Sequence, residues 1–190
     1  MSTADITEID YGPLQQLIGT WKGDKGLDIA PESDGTEKNP YYETIVFEEG
    51  GDVTNAESQV LAIVPYHQVV RRKSNDRVFH DERGYWLWDA ANQTIMHSFT
   101  IPRAVCVIAG GQFDMTEYDP KKTTFEVSAT LGDPNWGIIQ SPFMRDNATT
   151  NSFTQCITVG PDKLLYMETT ILEIYGNTFE HTDENELVRV

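Results

Sequence analysis

The sequence predicts an all-β fold: an antiparallel, up-and-down β-barrel of about ten strands with a short helical plug at its N-terminal end. Short aromatic and β-branched segments recur at close intervals between turn-forming residues, and almost no segment has helical periodicity. With 190 residues and 39% hydrophobic content, the chain is large enough to bury one core. We therefore treat residues 1–190 as a single barrel domain, since closing a sheet removes its exposed edges.

The N-terminal part is interpreted as a flexible polar leader, residues 1–12, followed by the plug. Residues 13–18 (PLQQLI) place leucine and isoleucine at helical spacing before Gly19, which ends the helix. A helix this short is not stable alone, so it is expected to lie against the end of the barrel. In residues 19–26 (GTWKGDKG) glycine recurs every few positions, which predicts a sharp strand bend or a closely approaching backbone.

From residue 41 onward, strands dominate the prediction. The segments are YYETIVFEE, SQVLAIVPYHQVVRR, FHDERGYWLW, QTIMHSFTI, RAVCVIAGG, QFDMTEYD, TTFEVSATL, TTNSFTQCITV, KLLYMETTILEIY and NTFEHTDENELVRV. Residues 132–147 (GDPNWGIIQSPFMRDN) interrupt them with two prolines and two glycines. They predict a long loop, and long ordered loops are often functional.

The segment FHDERGYWLW, residues 79–88, is the most unusual strand. Period-2 alternation puts Phe79, Asp81, Arg83, Tyr85 and Leu87 on one face, and His80, Glu82, Gly84, Trp86 and Trp88 on the other. Neither face is purely apolar, which favours a strand lining a partly polar cavity. An ordinary amphipathic strand with an interstrand salt bridge remains the alternative. Asp81 and Glu82 face opposite ways, so they do not form a two-carboxylate acid/base pair.

The acidic charge of the chain argues against some classes of binding partner. There are 14 Lys and Arg against 30 Asp and Glu, a formal net charge of -16, which argues against nucleic acid and anionic membrane surfaces. No targeting segment and no long apolar run is found, so a cytoplasmic location is expected. In that compartment Cys106 and Cys156 are predicted to be two buried thiols. Motifs of serine hydrolases, phosphate-binding loops and zinc sites are missing from the sequence.

Four segments in order resemble the nitrobindin family, heme-binding β-barrels similar to fatty-acid-binding proteins and lipocalins. They are LIGTWKGDKG, YYETIVFEE, HDERGYWLW followed by IPRAVCVIAGG, and LLYMETTILEIYGNTFEHTDENELVRV. The resemblance implies heme b at one end of the barrel, with His181 as the ligand to iron and His80 and Thr20 nearby. Met167 is expected either to line the cofactor pocket or to fill the core. Asp183 would place a carboxylate near the iron.

The other histidines are expected to have structural roles. His97, in IMHSF, is interpreted as a core or surface residue, and His67, between a proline and two arginines, as a surface residue. For His80 a hydrogen bond to Glu82 is favoured over direct ligation of a metal. Barrels resembling lipocalins also stack a first-strand tryptophan under a last-strand arginine, which predicts a cation-π contact between Trp21 and Arg189.

Three functions are compatible with these features. The first is a heme protein for nitrogen-oxide ligands, with conversion of peroxynitrite to nitrate as the activity that the resemblance implies. The second is a carrier or sensor of a fatty acid or similar small ligand, with Arg83 or Arg103 pairing its anionic head and Tyr85 and Trp86 lining the cavity. The third is a barrel with a filled interior whose 132–147 loop binds another protein. A small molecule is the expected partner, and a homodimer is left open.

Overall fold

The computed structural model describes residues 9–190, which fold into twelve strands, one short α-helix and two 3₁₀ helices. The strands are β1 (Gly19–Glu32), β2 (Gly35–Phe47), β3 (Asp52–Ala56), β4 (Gln59–Arg72), β5 (Val78–Asp89), β6 (Thr94–Ile101), β7 (Val105–Gln112), β8 (Thr123–Thr130), β9 (Ile138–Gln140), β10 (Ala148–Val159), β11 (Lys163–Ile174) and β12 (Asn177–Arg189). The helix α1 is Pro142–Asn147, and the 3₁₀ helices are Gly12–Leu17 and Met115–Glu117.

Ten of these strands form a closed antiparallel ring, which confirms the predicted barrel. The ring closes because β1 pairs with both β2 and β12, and β2 pairs in turn with β4. The short strands β3 and β9 lie beside β4 and β7, outside the ring. The predicted 132–147 loop therefore carries two ordered elements, β9 and α1, at the seam where β7 and β8 share one paired position.

The 3₁₀ helix Gly12–Leu17 plugs one end of the barrel, as predicted. Leu14 and Leu17 are fully buried, and the Leu17 carbonyl accepts a 2.7 Å hydrogen bond from the indole Nε1 of Trp21. Of the predicted leader, residues 1–8 lie outside the described part, whereas Tyr11 is already buried in the core. Within residues 9–190, no helix combines the length and the apolar character that crossing a membrane requires.

Arg189 completes this closed end of the barrel. Its guanidinium lies 4.2 Å from the centre of the Trp21 ring, so the expected cation-π contact forms. The same group donates hydrogen bonds to the carbonyls of Gln16 (2.7 Å), Pro161 (2.5 Å) and Ile18. One side chain thus joins the plug, the first strand and the β10–β11 turn.

Replacing Arg189 with alanine is expected to lower the free energy of unfolding by about 2–3 kcal/mol, because both the cation-π contact and charged hydrogen bonds are lost. Chemical denaturation monitored by tryptophan fluorescence measures this change. Lys22→Ala, at an exposed position of β1, is the control and should change stability little. Equal stability of Arg189→Ala and wild type would show that these contacts of Arg189 do not stabilise the barrel.

A bulge in β1 shifts the register of this strand against both of its neighbours, β2 and β12. Gly23 pairs with Leu187 but Leu27 pairs with Glu184, so β1 carries one extra residue there. The predicted close approach is also present, since a Cβ at Gly26 would clash with the Tyr41 ring. By contrast, β12 pairs with β11 without any shift, so alternate residues from His181 to Leu187 all face the interior.

The prediction of two buried thiols was wrong. Cys106 is exposed and Cys156 is half-buried; neither is in a disulfide. Alternation explains the difference: Val105 and Val107 face the core, so Cys106 between them must face outward. Among apolar strand residues, composition alone did not show which face each side chain takes.

Candidate functional site

The end of the barrel opposite the plug contains a cavity of about 790 Å³. A second cavity of about 380 Å³ adjoins it, and His80, Arg103, Glu168, His181 and Asp183 line both. The larger volume lies within the usual range for small-molecule sites, about 300–1,000 Å³. The hypothesis of a filled interior was therefore wrong.

One wall of the larger cavity is apolar. It is formed by inward-facing residues of β6, β7 and β10, including Phe99, Val105, Val107 and Phe153. The helix α1 lies at the mouth, where Ser141 caps it by accepting a 3.3 Å hydrogen bond from the Met144 amide. Phe143 and Met144 of this helix also line the cavity. An apolar ligand body would be accommodated against this wall.

The opposite wall is acidic. Cross-strand pairing aligns Asp28, Asp183 and Glu168 side by side on β1, β12 and β11. Asn39 on β2 and Gln155 on β10 continue the row at its two ends. Their amides donate to Asp28 at 2.8 Å and to Glu168 at 3.1 Å. We call Asp28, Asp183 and Glu168 the carboxylate row.

His181 faces the cavity beside the carboxylate row. Its Nε2 lies 2.7 Å from Asp28 Oδ1 and 3.3 Å from Asp183 Oδ2. Burial alone would lower the pKa of His181, but the hydrogen bond to Asp28 and the charge of Asp183 raise it above its ordinary value. Burial raises the pKa of Asp183 to about 6 although the nearby His181 opposes this shift.

A second histidine cluster lies on the β5 side of the cavity. His80 Nε2 is 3.3 Å from the Glu82 carboxylate, so the expected contact forms. Tyr66 donates to the same carboxylate and lies 2.7 Å from His97 Nε2. His97 is fully buried against Trp86, and burial lowers its pKa to about 4, so it is a neutral core residue at physiological pH.

Deeper in the barrel, a polar network surrounds Glu43. This buried carboxylate accepts hydrogen bonds from Gln68 (2.6 Å), Asn185 (2.7 Å) and Tyr166 (2.9 Å). Burial raises its pKa to about 7 although these three donors oppose the shift. The sequence contained a hint that we missed, because Glu43 shares the strand parity of Tyr41 and of the apolar core residues that follow on β2.

The structure brings three of the predicted site residues together. His181, His80 and Arg103 line both cavities, with Arg103 exposed at the mouth. Thr20 lies at the plugged end, where its carbonyl accepts from the Val190 amide. Met167 is 56% exposed on the outer face of β11, since its neighbour Tyr166 faces inward. Neither Thr20 nor Met167 contributes to the cavity lining.

The remaining three predicted ligand-binding residues also lie elsewhere. Arg83 and Tyr85 line a groove on the outer surface of the barrel. Trp86 packs in the core, stacked on His97 with ring centres 3.9 Å apart. Phe79 departs from the predicted alternation because it is the extra residue of a bulge between β4 and β5, so it lines the smaller cavity together with His80.

Comparison with known proteins agrees with this architecture. The family described as THAP4-like, heme-binding beta-barrel domain matches residues 10–189. The chain belongs to this family. Rv2717c from M. tuberculosis, a solved structure, shares the fold with a TM-score of 0.68 and 16% identity, over 93% of this chain and 94% of that one. A comparison with curated proteins found no match.

Proposed function

We propose that this member of the heme-binding β-barrel family binds heme b in the larger cavity, with His181 as the protein ligand to iron. The observation that carries the proposal is the imidazole of His181 inside a cavity of about 790 Å³ with an apolar wall. A histidine nitrogen is a common protein ligand of heme iron. Bound heme would supply the iron that coordinates nitrogen-oxide ligands, and peroxynitrite conversion to nitrate is the activity to test.

The volume of the cavity, its apolar wall and the imidazole of His181 are compatible with this group. The apolar wall suits the macrocycle, and the exposed guanidinium of Arg103 at the mouth can pair with a carboxylate of the ligand. Nε2 of His181 is hydrogen-bonded to Asp28, so iron can bind at this nitrogen only after that hydrogen bond is broken. Asp28 and Asp183 both contact this nitrogen and therefore compete with iron for it.

A hemin titration followed by absorbance tests the proposal. The wild type should give a saturable Soret band, and His181→Ala should weaken hemin affinity at least about tenfold. The matched control is His67→Ala, because His67 lies on the outer groove rather than in the cavity. A band that does not saturate, or equal affinity in His181→Ala and wild type, would overturn heme ligation by His181.

A second candidate is a carrier or sensor of a fatty acid or another amphipathic anion. It is favoured by the exposed Arg103 at the mouth of a cavity with an apolar wall. Mass spectrometry of ligands extracted from the purified protein would identify such cargo. Cargo retention should fall in Arg103→Ala and stay unchanged in Arg83→Ala, since Arg83 lies on the outer surface.

A further inference from the structure

The carboxylate row concentrates negative charge inside the barrel. Asp28 pairs directly with Asp183 in the β1–β12 register, and Asp183 pairs directly with Glu168 in the β11–β12 register. Carboxylates directly opposite each other on adjacent strands repel, and Asp28 is only 3% exposed. A buried arrangement of this kind is relieved either by protonation of its carboxylates or by a cation bound between them.

Within residues 9–190, His181 is the only cationic side chain in contact with the row, and Arg103, which lines the same cavities, forms no ion pair with it. Asp28 and Asp183 share one imidazole, that of His181. Among residues 9–190, the Asp183 carboxylate has no hydrogen-bond donor within reach other than His181. Gln155 Nε2 donates to Glu168, but an amide carries no charge. His80 is already paired with Glu82.

We propose that Asp28, His181 and Asp183 form a binding site for a divalent first-row transition metal ion, separate in kind from a heme site. One ligand atom from each residue lies within 4.8 Å of the other two. Atoms bound to one metal at about 2.0–2.2 Å lie roughly 3 Å apart, so small side-chain rotations complete the geometry. One imidazole with two carboxylates suits Zn²⁺, Mn²⁺, Fe²⁺ or Co²⁺ better than Ca²⁺, which takes oxygen ligands alone.

The surroundings of the three residues match a metal site. The side-chain amide of Asn39 donates a 2.8 Å hydrogen bond to Asp28 Oδ2, the oxygen that does not contact His181. This hydrogen bond orients the Asp28 carboxylate. The ligands come from the adjacent strands β1 and β12, so the scaffold is rigid. The three protein ligands face the two cavities, so further coordination positions are open to water or a small ligand.

The cation site and the proposed heme site share His181, and each excludes the other. The two sites differ in Asp183, which is a ligand of the cation but not of heme iron. Asp183→Asn removes a cation ligand but keeps the imidazole for heme. Hemin binding can therefore fail while cation binding succeeds, or the reverse, and the two proposals are tested separately.

Titration of the chelator-treated full chain with Co²⁺, followed by the visible absorbance of the ion, tests the site. One Co²⁺ should bind per chain, and Asp183→Asn and Asp28→Asn should each weaken the affinity at least about tenfold. At the same Zn²⁺ concentration, the melting temperature should rise less in Asp183→Asn than in the wild type. The matched control is Glu126→Gln, an exposed acid on β8, which should bind like wild type.

Two outcomes would overturn the site. One is the lack of saturable binding of one Co²⁺ per chain, and the other is equal affinity in Asp183→Asn and wild type. Circular dichroism of each variant checks that the barrel folds. Because Asp183→Asn removes repulsion with Asp28 and Glu168, this variant should fold at least as well as wild type without metal.

Discussion

Replacing Trp86 with alanine is expected to lower the free energy of unfolding by about 3–5 kcal/mol. Trp86 is 1% exposed, lies parallel to His97 at an interplanar angle of 10°, and meets the Phe125 ring edge-on at 5.5 Å. Removing it leaves a void between β5, β6 and β8 that the closed barrel cannot collapse around. It also uncovers the neutral imidazole of His97.

The neighbouring residue provides the control for this prediction. Tyr85 is 52% exposed on the opposite face of the same strand, so Tyr85→Ala should cost within about 1 kcal/mol. Urea denaturation of the two variants measures both changes in one experiment. Similar losses for Trp86→Ala and Tyr85→Ala would show that the assigned faces of β5 are wrong.

Stability is expected to fall as pH rises from about 5 to about 8 because of Glu43. Its pKa is raised from 4.5 to about 7 in the folded chain, mainly by burial. Below pH 4.5, Glu43 is protonated in both the folded and the unfolded chain, and the stability that its raised pKa contributes is fully present. As pH rises through about 7, the unfolded state has already lost its proton, and a contribution on the order of 3 kcal/mol is lost.

The groups around Glu43 affect the expected pH profile. Gln68, Tyr166 and Asn185 donate hydrogen bonds to it, and the charge of Asp183 raises its pKa further. Asp183 itself has a raised pKa of about 6 and contributes in the same direction. The comparison of wild type with Glu43→Gln isolates the part due to Glu43.

Urea denaturation at pH 5, 6, 7 and 8 measures this dependence. Glu43→Gln should flatten the decrease over this interval, because the amide does not titrate. Parallel pH profiles for wild type and Glu43→Gln would refute the assignment of this titration to Glu43. Glu126→Gln, at an exposed position, should leave the profile unchanged.

Local patterns in the sequence were sufficient to predict the barrel architecture. Period-2 segments separated by turn residues predicted the barrel, and the short PLQQLI segment predicted the plug that Leu14 and Leu17 bury. The contact between Trp21 and Arg189 was predicted from the resemblance to lipocalin-like barrels, and the pairing of β1 with β12 brings the two residues together. His181 and His80, which were named from the resemblance to known barrels, line one cavity, and their binding of a cofactor stays a prediction.

Which acidic side chains lie next to each other was decided only by the tertiary structure. The carboxylate row depends on the register of β1, β12 and β11, and the bulge in β1 shifts that register by one residue. A strand's own sequence sets the alternation of its side chains, but not the residue that stands opposite on a neighbour more than a hundred positions away. For this reason the place of Asp28 in the row could not be predicted, whereas the burial of Glu43 follows from the alternation of β2 itself.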